Sequence, residues 1–481
     1  MIRNDIRHML IHCQRASSDR PFTLLCSVSS LLEVRRSLGV GDLPDMKRRC
    51  SLLTIVSPSA AKPVGDFPAM LTQLLFATLF LASTVLTNPI VGRGKSVTLS
   101  FARHLNFTGT VNILQKDQAR AHELKTKQRN ILHDKIPTSA AFGIPATNQA
   151  VDYVVNVGVG NPPTQYSLLV DTGSSNTWLG AGASYVITDT SIDTGDLVFV
   201  EYGSGLFIGE EFLDQVTLAP DFVISNQSIG VAELALGFDG VDGILGIGPQ
   251  DLTVGTLSPD SDAAIPTVTD NAVTQGLIDT GLVGVSFEPT NSLSVTNGEI
   301  SFGAVDDSKY TGSIQYTPIT ATSPASFYVG IDQSISYGSD SIPILNSTAG
   351  ITDTGTTLIL IASDAIAQYQ QVTGAVPDSS TGLLRITPAQ YDSLESLFFN
   401  IGGESYELIP NAQIWPRILN TAIGGTNDFV YLIVADIGSL SGEGLDFIDG
   451  MTFLERFYSA FDSENNQFGL ATTTFTNAIT N

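Results

Sequence analysis

Two short stretches of this chain carry the same chemistry-bearing pattern. Leu169-Val170-Asp171-Thr172-Gly173-Ser174-Ser175 recurs as Ile351-Thr352-Asp353-Thr354-Gly355-Thr356-Thr357. Each sets a carboxylic acid after apolar strand residues and follows it with a glycine and paired hydroxyls. A single Asp-Thr-Gly is weak, because Asp and Gly are ordinary turn residues. Two copies in the same setting, 182 residues apart, point to two similar lobes that each present one turn. Two carboxyl groups brought together cannot both ionise easily, so the pair holds one proton over a range of acid pH. The ionised member can take a proton from water while the protonated one polarises a carbonyl. Glycine lets each turn bring amides near its carboxylate, and the hydroxyls of Ser174 and Thr356 can hydrogen-bond it. The chemistry predicted is hydrolysis by an activated water, with no covalent intermediate.

Composition narrows the alternatives. The five histidines (His8, His12, His104, His122, His133) and the three cysteines (Cys13, Cys26, Cys50) all precede residue 140. The remaining body therefore has no Ser-His-Asp triad, no Cys-His pair, no His- or Cys-ligated zinc and no internal disulfide. No metal or cofactor is expected. Of 481 residues, 43% are hydrophobic and 15% charged, which is enough to fold around a large core. From residue 140 onward only Lys309, Arg385, Arg417 and Arg456 oppose 39 acidic residues, a formal charge of -35. The first 139 residues carry 19 basic and nine acidic groups. So acidic a body argues against nucleic acid as a partner.

The elements that must position the two turns read as mostly β. Runs at 151–160, 166–173, 196–205, 334–345 and 431–438 are rich in Val, Ile, Tyr and Phe and are bounded by Gly, Asn, Asp and Ser. Short helices are predicted at 268–277, 363–372 and 389–398. Upstream, the apolar run at 71–86 follows Met70 and reads as a secretory signal, with a signal anchor as the competing reading. Residues 1–69 then read as a gene-model extension or disordered leader, 70–87 as the signal peptide and 88–143 as a basic propeptide. Residues 144–325 and 326–481 form the two β lobes. The basic stretch LQKDQARAHELKTKQRN at 114–130 is helix-compatible: either a solvated linker, or a segment docked on the acidic body and released by acid.

On the paired Asp-Thr-Gly turns, and on the runs PATNQAVDYVVNVGVG, GFDGVDGILGIGPQDLTVGTLSP, TAGITDTGTTL and NAQIWPRILNTAIGG, the chain resembles the pepsin-like aspartic proteases, most closely fungal members. The resemblance covers essentially all of residues 145–481. It implies a bilobal β fold with the cleft between the lobes, and it carries the catalytic roles onto Asp171 and Asp353. Tyr202, in Val200-Glu201-Tyr202-Gly203-Ser204-Gly205, resembles the tyrosine of a β-hairpin flap, and Trp178 the tryptophan that holds it. Gly203 and Ser204 would bind a peptide backbone from the flap, and Gly173, Gly355, Thr356 and Thr357 from below. The apolar-apolar-Gly segments of the family match at Ile244-Leu245-Gly246, but Ile448-Asp449-Gly450 puts Asp449 where an aliphatic residue is usual. An inward, ionised Asp449 would raise its neighbours' pKa values; one turned to solvent or paired with a polar group would not.

The reading is thus a secreted, extracellular aspartic endopeptidase, made as a zymogen, cut near residues 140–145 and active at acid pH on polypeptides with apolar residues flanking the cleaved bond. Its own propeptide and pepstatin-type inhibitors are the expected partners, and with both turns in one chain a monomer suffices. The alternatives are a catalytically silent binding protein on the same fold and a membrane-anchored protease. Sequons at Asn106, Asn226 and Asn346 permit glycosylation.

Overall fold

The structure, a computed structural model, describes residues 95–104, 112–131, 152–203 and 205–481, all within the compact unit Pro89–Asn481. The apolar run at 71–86, the expected cleavage region at 140–145, Ser204 and the Asn106 sequon lie outside the described residues. Asn226 and Asn346 are exposed.

The described chain is mostly β. One large sheet takes in β1 (Val97–His104), β2 (Asp152–Val159), β3 (Thr164–Asp171), β4 (Trp178–Leu179), β5 (Ile192–Tyr202), β6 (Gly205–Ala219), β7 (Phe222–Leu236), β8 (Gly243–Gly246), β9 (Leu257–Ser258), β10 (Leu282–Ser286), β11 (Ser294–Phe302) and β12 (Thr311–Pro318). A second sheet holds β13 (Gly330–Tyr337), β14 (Ile342–Thr352), β15 (Ile359–Ile361), β18 (Leu397–Ile401), β19 (Glu404–Leu408), β21 (Val434–Asp436) and β22 (Phe447–Asp449). A small third sheet is built from β16 (Val376–Pro377), β17 (Leu384–Ile386) and β20 (Val430–Leu432). The last strands, β23 (Phe457–Asp462) and β24 (Gln467–Thr472), return to the large sheet beside β10 and β12. The end of the chain therefore ties the second lobe's sequence to the first sheet.

The sequence repeat is a structural repeat. β3 runs parallel to β8, pairing Asp171 with Gly246, and β14 runs parallel to β22, pairing Thr352 with Asp449. Parallel strands buried on both faces read as near-continuous apolar runs, as Leu168, Val170, Leu245, Ile351 and Ile448 do here. Each Asp-Thr-Gly turn thus leaves the end of a central strand, where the surrounding sheet fixes it.

Among the described residues α-helices are few: α1 (Ile113–Ile131), α2 (Val268–Thr274), α3 (Ser363–Thr373), α4 (Pro388–Tyr391) and α5 (Met451–Leu454). Two of the three predicted body helices form close to their expected spans. α2 starts in a Thr267/Asp270 capping box. The third stops after one turn: Thr387 caps α4, but the alternation of buried Leu397, Phe399 and Ile401 with more exposed neighbours draws the following residues into β18. The basic leader segment contributes more than a helix. β1 lies between β11 and β2, pairing Leu99 with Ile300 and Ala102 with Val154, so part of the leader is a strand of the body's own sheet.

Candidate active site

Asp171 and Asp353 are fully buried, and each is held by its own turn. Asp171 accepts Ser174 Oγ at 2.5 Å and the Gly173 amide at 3.0 Å. Asp353 accepts Thr356 Oγ1 at 2.6 Å and the Gly355 amide at 3.1 Å. Behind the carboxylates, Thr172 and Thr354 lock the turns together: each amide donates at 3.0 Å to the other's hydroxyl, and Thr354 Oγ1 donates onward to Val170 O at 3.0 Å. These reciprocal bonds impose a local two-fold arrangement on the two carboxyl groups.

Gly173 and Gly355 make the approach possible. A Cβ on Gly173 would lie 2.7 Å from Asp353 Oδ1, and one on Gly355 would lie 2.6 Å from Asp171 Oδ1. Each glycine abuts the carboxylate of the opposite lobe.

A cation from the leader occupies the space between them. α1 lays Arg120 across both acids, with Nη2 donating to Asp171 Oδ1 at 2.5 Å and to Asp353 Oδ1 at 3.0 Å, and Nε to Asp353 Oδ2 at 2.6 Å. Burial pushes the Asp171 carboxyl up, against the opposing pull of the guanidinium. Burial also acts on Asp353, but the charge and hydrogen bonds of Arg120, with Thr356 and Gly355, outweigh it and hold this carboxyl below its ordinary value. The guanidinium, facing two acids, stays charged.

α1 is docked by polar groups as much as by apolar ones. Its buried face carries Ile113, Lys116, Asp117, Arg120, Ala121, Leu124 and Lys125, a helical stripe in which charged side chains outnumber apolar ones. Asp117 Oδ2 accepts the amides of Thr357 (3.2 Å) and Leu358 (2.8 Å), the backbone just past the second turn. Gln118 donates to Asp436 O at 2.8 Å, and Lys125 pairs with Ser439. Burial pushes the Asp117 carboxyl up to about 6, and burial likewise pushes Glu123 up to about 7.

On the other side of the cleft β5 and β6 form a hairpin with Tyr202 near its tip. Trp178 Nε1 donates to Tyr202 Oη at 2.9 Å, and the indole stacks on Phe207 with centroids 4.3 Å apart. Phe238 meets both rings edge-on. A buried Trp whose N–H is satisfied by the Tyr hydroxyl inside an aromatic cluster holds the hairpin in one pose. Gly203 rests on α1: a Cβ there would run into the backbone of Ala119. Thr357 Oγ1 is buried without a hydrogen-bond partner.

The structure thus gathers Asp171, Asp353, Gly173, Gly355, Ser174, Thr356, Thr357, Trp178, Tyr202 and Gly203 around one cleft. Sequence reasoning missed Arg120 and Asp117. The signal available was the basic, helix-compatible run, which gives the sign of the docking charge but not which of its cations enters the cleft. Asp449 points inward, fully buried, and takes the Gln333 amide at 3.2 Å; of the open readings, the polar pairing is the one found.

Comparison with known proteins identifies the family. Residues 152–473 match the family model described as eukaryotic aspartyl protease. The chain is 68% identical to polyporopepsin of Irpex lacteus over 342 residues, which cover 71% of this chain and 100% of that protein. It is 29% identical to pepsin A of Sus scrofa over 367 residues, covering 72% of this chain and 89% of that one. The solved structure of the aspartic proteinase from Irpex lacteus superposes with a TM-score of 0.69 at 59% identity, over 80% of this chain and 100% of that chain.

Proposed function

From the premise that the chain belongs to the eukaryotic aspartyl protease family and is an aspartic-type endopeptidase, we propose that Asp171 and Asp353 are its catalytic pair and that residues 88–143 are a propeptide holding that pair shut. The observation that carries the reading is Arg120, from α1, bonded to both buried carboxylates at once. When α1 leaves, a water takes the place of the guanidinium. The ionised member of the pair removes its proton as it attacks the peptide carbonyl, while the protonated member donates to the carbonyl oxygen. The tetrahedral adduct collapses as the nitrogen leaving group is protonated. The pair acts as a unit sharing one proton, so neither acid alone owns a role in the free enzyme.

The substrate is an extended polypeptide. The departure of α1 frees the amides of Thr357 and Leu358 and uncovers Gly203, supplying backbone groups on both walls of the cleft, with the Thr357 hydroxyl nearby. Ser204 completes the flap in this reading. Apolar side chains flanking the cleaved bond, pepstatin-type inhibition and a monomeric enzyme follow from the family resemblance. The layout is a gene-model extension or non-propeptide leader at 1–69, a signal at 70–87 directing secretion, cleavage near 140–145, and lobes at 144–325 and 326–481.

The test is hydrolysis of a denatured protein by the purified, acid-treated chain at about pH 3 to 5, the range in which such pairs share a proton, with and without pepstatin. Pepstatin-sensitive cleavage is expected. A folded, correctly processed chain that cleaves nothing would overturn the reading.

A further inference from the structure

The two lobes differ at one matched pair of buried positions. Val157 faces Tyr166 across β2 and β3, as Gln333 faces Thr348 across β13 and β14. Leu245 in Ile244-Leu245-Gly246 corresponds to Asp449 in Ile448-Asp449-Gly450. The first lobe thus fills both places with buried apolar side chains, and the second fills both with polar ones. Gln333 Nε2 donates to Asp449 Oδ1 at 3.2 Å, while Gln333 Oε1 and Asp449 Oδ2 are both buried without a partner. With an ionised carboxylate both orphans are acceptors and neither can help the other. A proton on Oδ2 removes the conflict, because the acid then donates to Oε1 while the amide donates to Oδ1.

We propose that Asp449 is a positioning residue for the second Asp-Thr-Gly turn, carried as the neutral acid and closed with the Gln333 amide into a two-bonded ring. The backbone it fixes is the floor of that turn. Asp449 O accepts the Asp353 amide at 3.2 Å, Met451 N donates to Thr356 O at 2.8 Å, and Thr452 N donates to Thr357 O at 3.1 Å. A Cβ on Gly450 would lie 2.3 Å from Leu358 O, so this floor is pressed against the turn. The sheet order β13-β14-β22 puts the two ring members on the strands flanking β14, the strand that delivers Asp353. The ring spans it and clamps it from both sides.

The charge environment leaves the acid to its burial. β14, β15 and α5, which pack on β22, carry no titratable side chain. On β13, Asp332 is engaged by the Thr320 hydroxyl, and beyond the ends of β14 and α5, Asp353 is paired with Arg120 and Glu455 with Arg103. Arg456 is turned to the carbonyls of Phe475 and Ala478. Burial, partly offset by the Gln333 amide, pushes the Asp449 carboxyl up to about 8. The folded value lies above the unfolded one, so stability is fully present below about 4 and falls as pH rises through about 8.

The experiment uses the full chain carrying Asp171→Asn, which prevents self-cleavage, with and without Asp449→Asn. Infrared difference spectra at neutral pH should contain one protonated-carboxyl band in the parent that the Asn variant lacks. Between about pH 5 and 8 the parent's unfolding constant should rise about tenfold per pH unit relative to the Asn variant. No carboxyl band, or parallel pH profiles, would overturn the proposal. If Asp449→Asn does not fold, Gln333→Met serves: loss of the amide should move the acid's carbonyl band to higher wavenumber, and an unmoved band overturns it. With Asp171 restored, Asp449→Ala should lower kcat about tenfold with KM nearly held, as expected for a displaced catalytic group. Asp449→Asn, which can rebuild the ring, should recover most of it; equal losses in the two variants would count against positioning.

Discussion

Gly173 lies against Asp353, and Gly355 against Asp171, so that each turn's glycine is the contact surface for the other turn's carboxylate. This crossed packing explains why both turns need glycine, for a reason separate from backbone conformation. Gly173→Ala should force its Cβ within 2.7 Å of Asp353 Oδ1, and Gly355→Ala should do the same to Asp171 at 2.6 Å. Misplacing a reacting group by about 1 Å can cost about 10²-fold in rate. Each variant is expected to lose about that much in kcat/KM while its thermal unfolding midpoint changes little.

Asp171→Asn and Asp353→Asn test the pair directly. In each turn one carboxylate oxygen accepts the glycine amide and the other a hydroxyl; an Asn keeps the first bond with its oxygen and replaces the second by donating its NH2 to the reoriented hydroxyl, so the fold should persist. An Asn neither takes nor holds the shared proton. Proton transfer by a positioned side chain is worth about 10² to 10⁴ in rate, so each variant should fall by at least about 10² in kcat. Peptide hydrolysis by either variant at near the parent rate would exclude this mechanism.

The pH dependence of propeptide release follows from the signs of the shifts around Arg120. Asp353 is held below its ordinary value while docked, so its contribution to docking is present above the ordinary carboxylate range and is lost as pH falls through the lowered value. Asp117 and Glu123 behave oppositely. Pushed up to about 6 and about 7, they take up protons on docking, so docking gains from them as pH falls from neutral toward about 4. Release should therefore show a threshold below the ordinary carboxylate range rather than a slope that starts at neutrality. Arg120→Met leaves two buried acids without their cation, a loss of about 3 to 5 kcal/mol in docking. Pepstatin binding by the unprocessed chain at about pH 6, where Asp117 titrates, should appear in this variant and be absent in the parent. Identical thresholds in the two chains would remove Arg120 as the lock.

What the sequence made legible follows from how local each feature is. The repeated turn, with its strand before and hydroxyls after, is complete within seven residues, and so the pair, its supporting hydroxyls and the two-lobed fold could be read without coordinates. The short helix at Pro388–Tyr391 was overextended because its cap and first turn are local, whereas the pull of Leu397 and Phe399 into β18 depends on pairing with β13 and β19. Arg120 was hidden for a stronger reason. It is one cation among several in a basic run, and only the docking of α1 through Asp117 onto Thr357 and Leu358 sets which one reaches the carboxylates. Asp449 could be flagged as out of place but not oriented, since its partner Gln333 lies 116 residues away.

A second buried ion pair gives the leader strand a pH-dependent hold of its own. Arg103 on β1 meets Glu455 at 3.3 Å with both side chains almost fully buried, and Tyr153 Oη donates to the same carboxylate at 3.2 Å. Burial raises the Glu455 carboxyl, while Arg103, Arg456 and Tyr153 pull it back down. Removing Arg103 takes away the first of those opposing charges, so Arg103→Met should raise the carboxyl further, and well above its ordinary range the variant must either hold an unpaired buried anion or take up a proton to stay folded. Breaking such a pair costs about 3 to 5 kcal/mol where the orphan stays ionised, and much less once it is protonated. The variant's loss of thermal stability should accordingly be large at about pH 7 and small near the ordinary glutamate value of about 4. Differential scanning calorimetry of the full chain at the two pH values reads this directly. A deficit of equal size at both would mean that Arg103 acts through packing rather than through the charge it brings to Glu455.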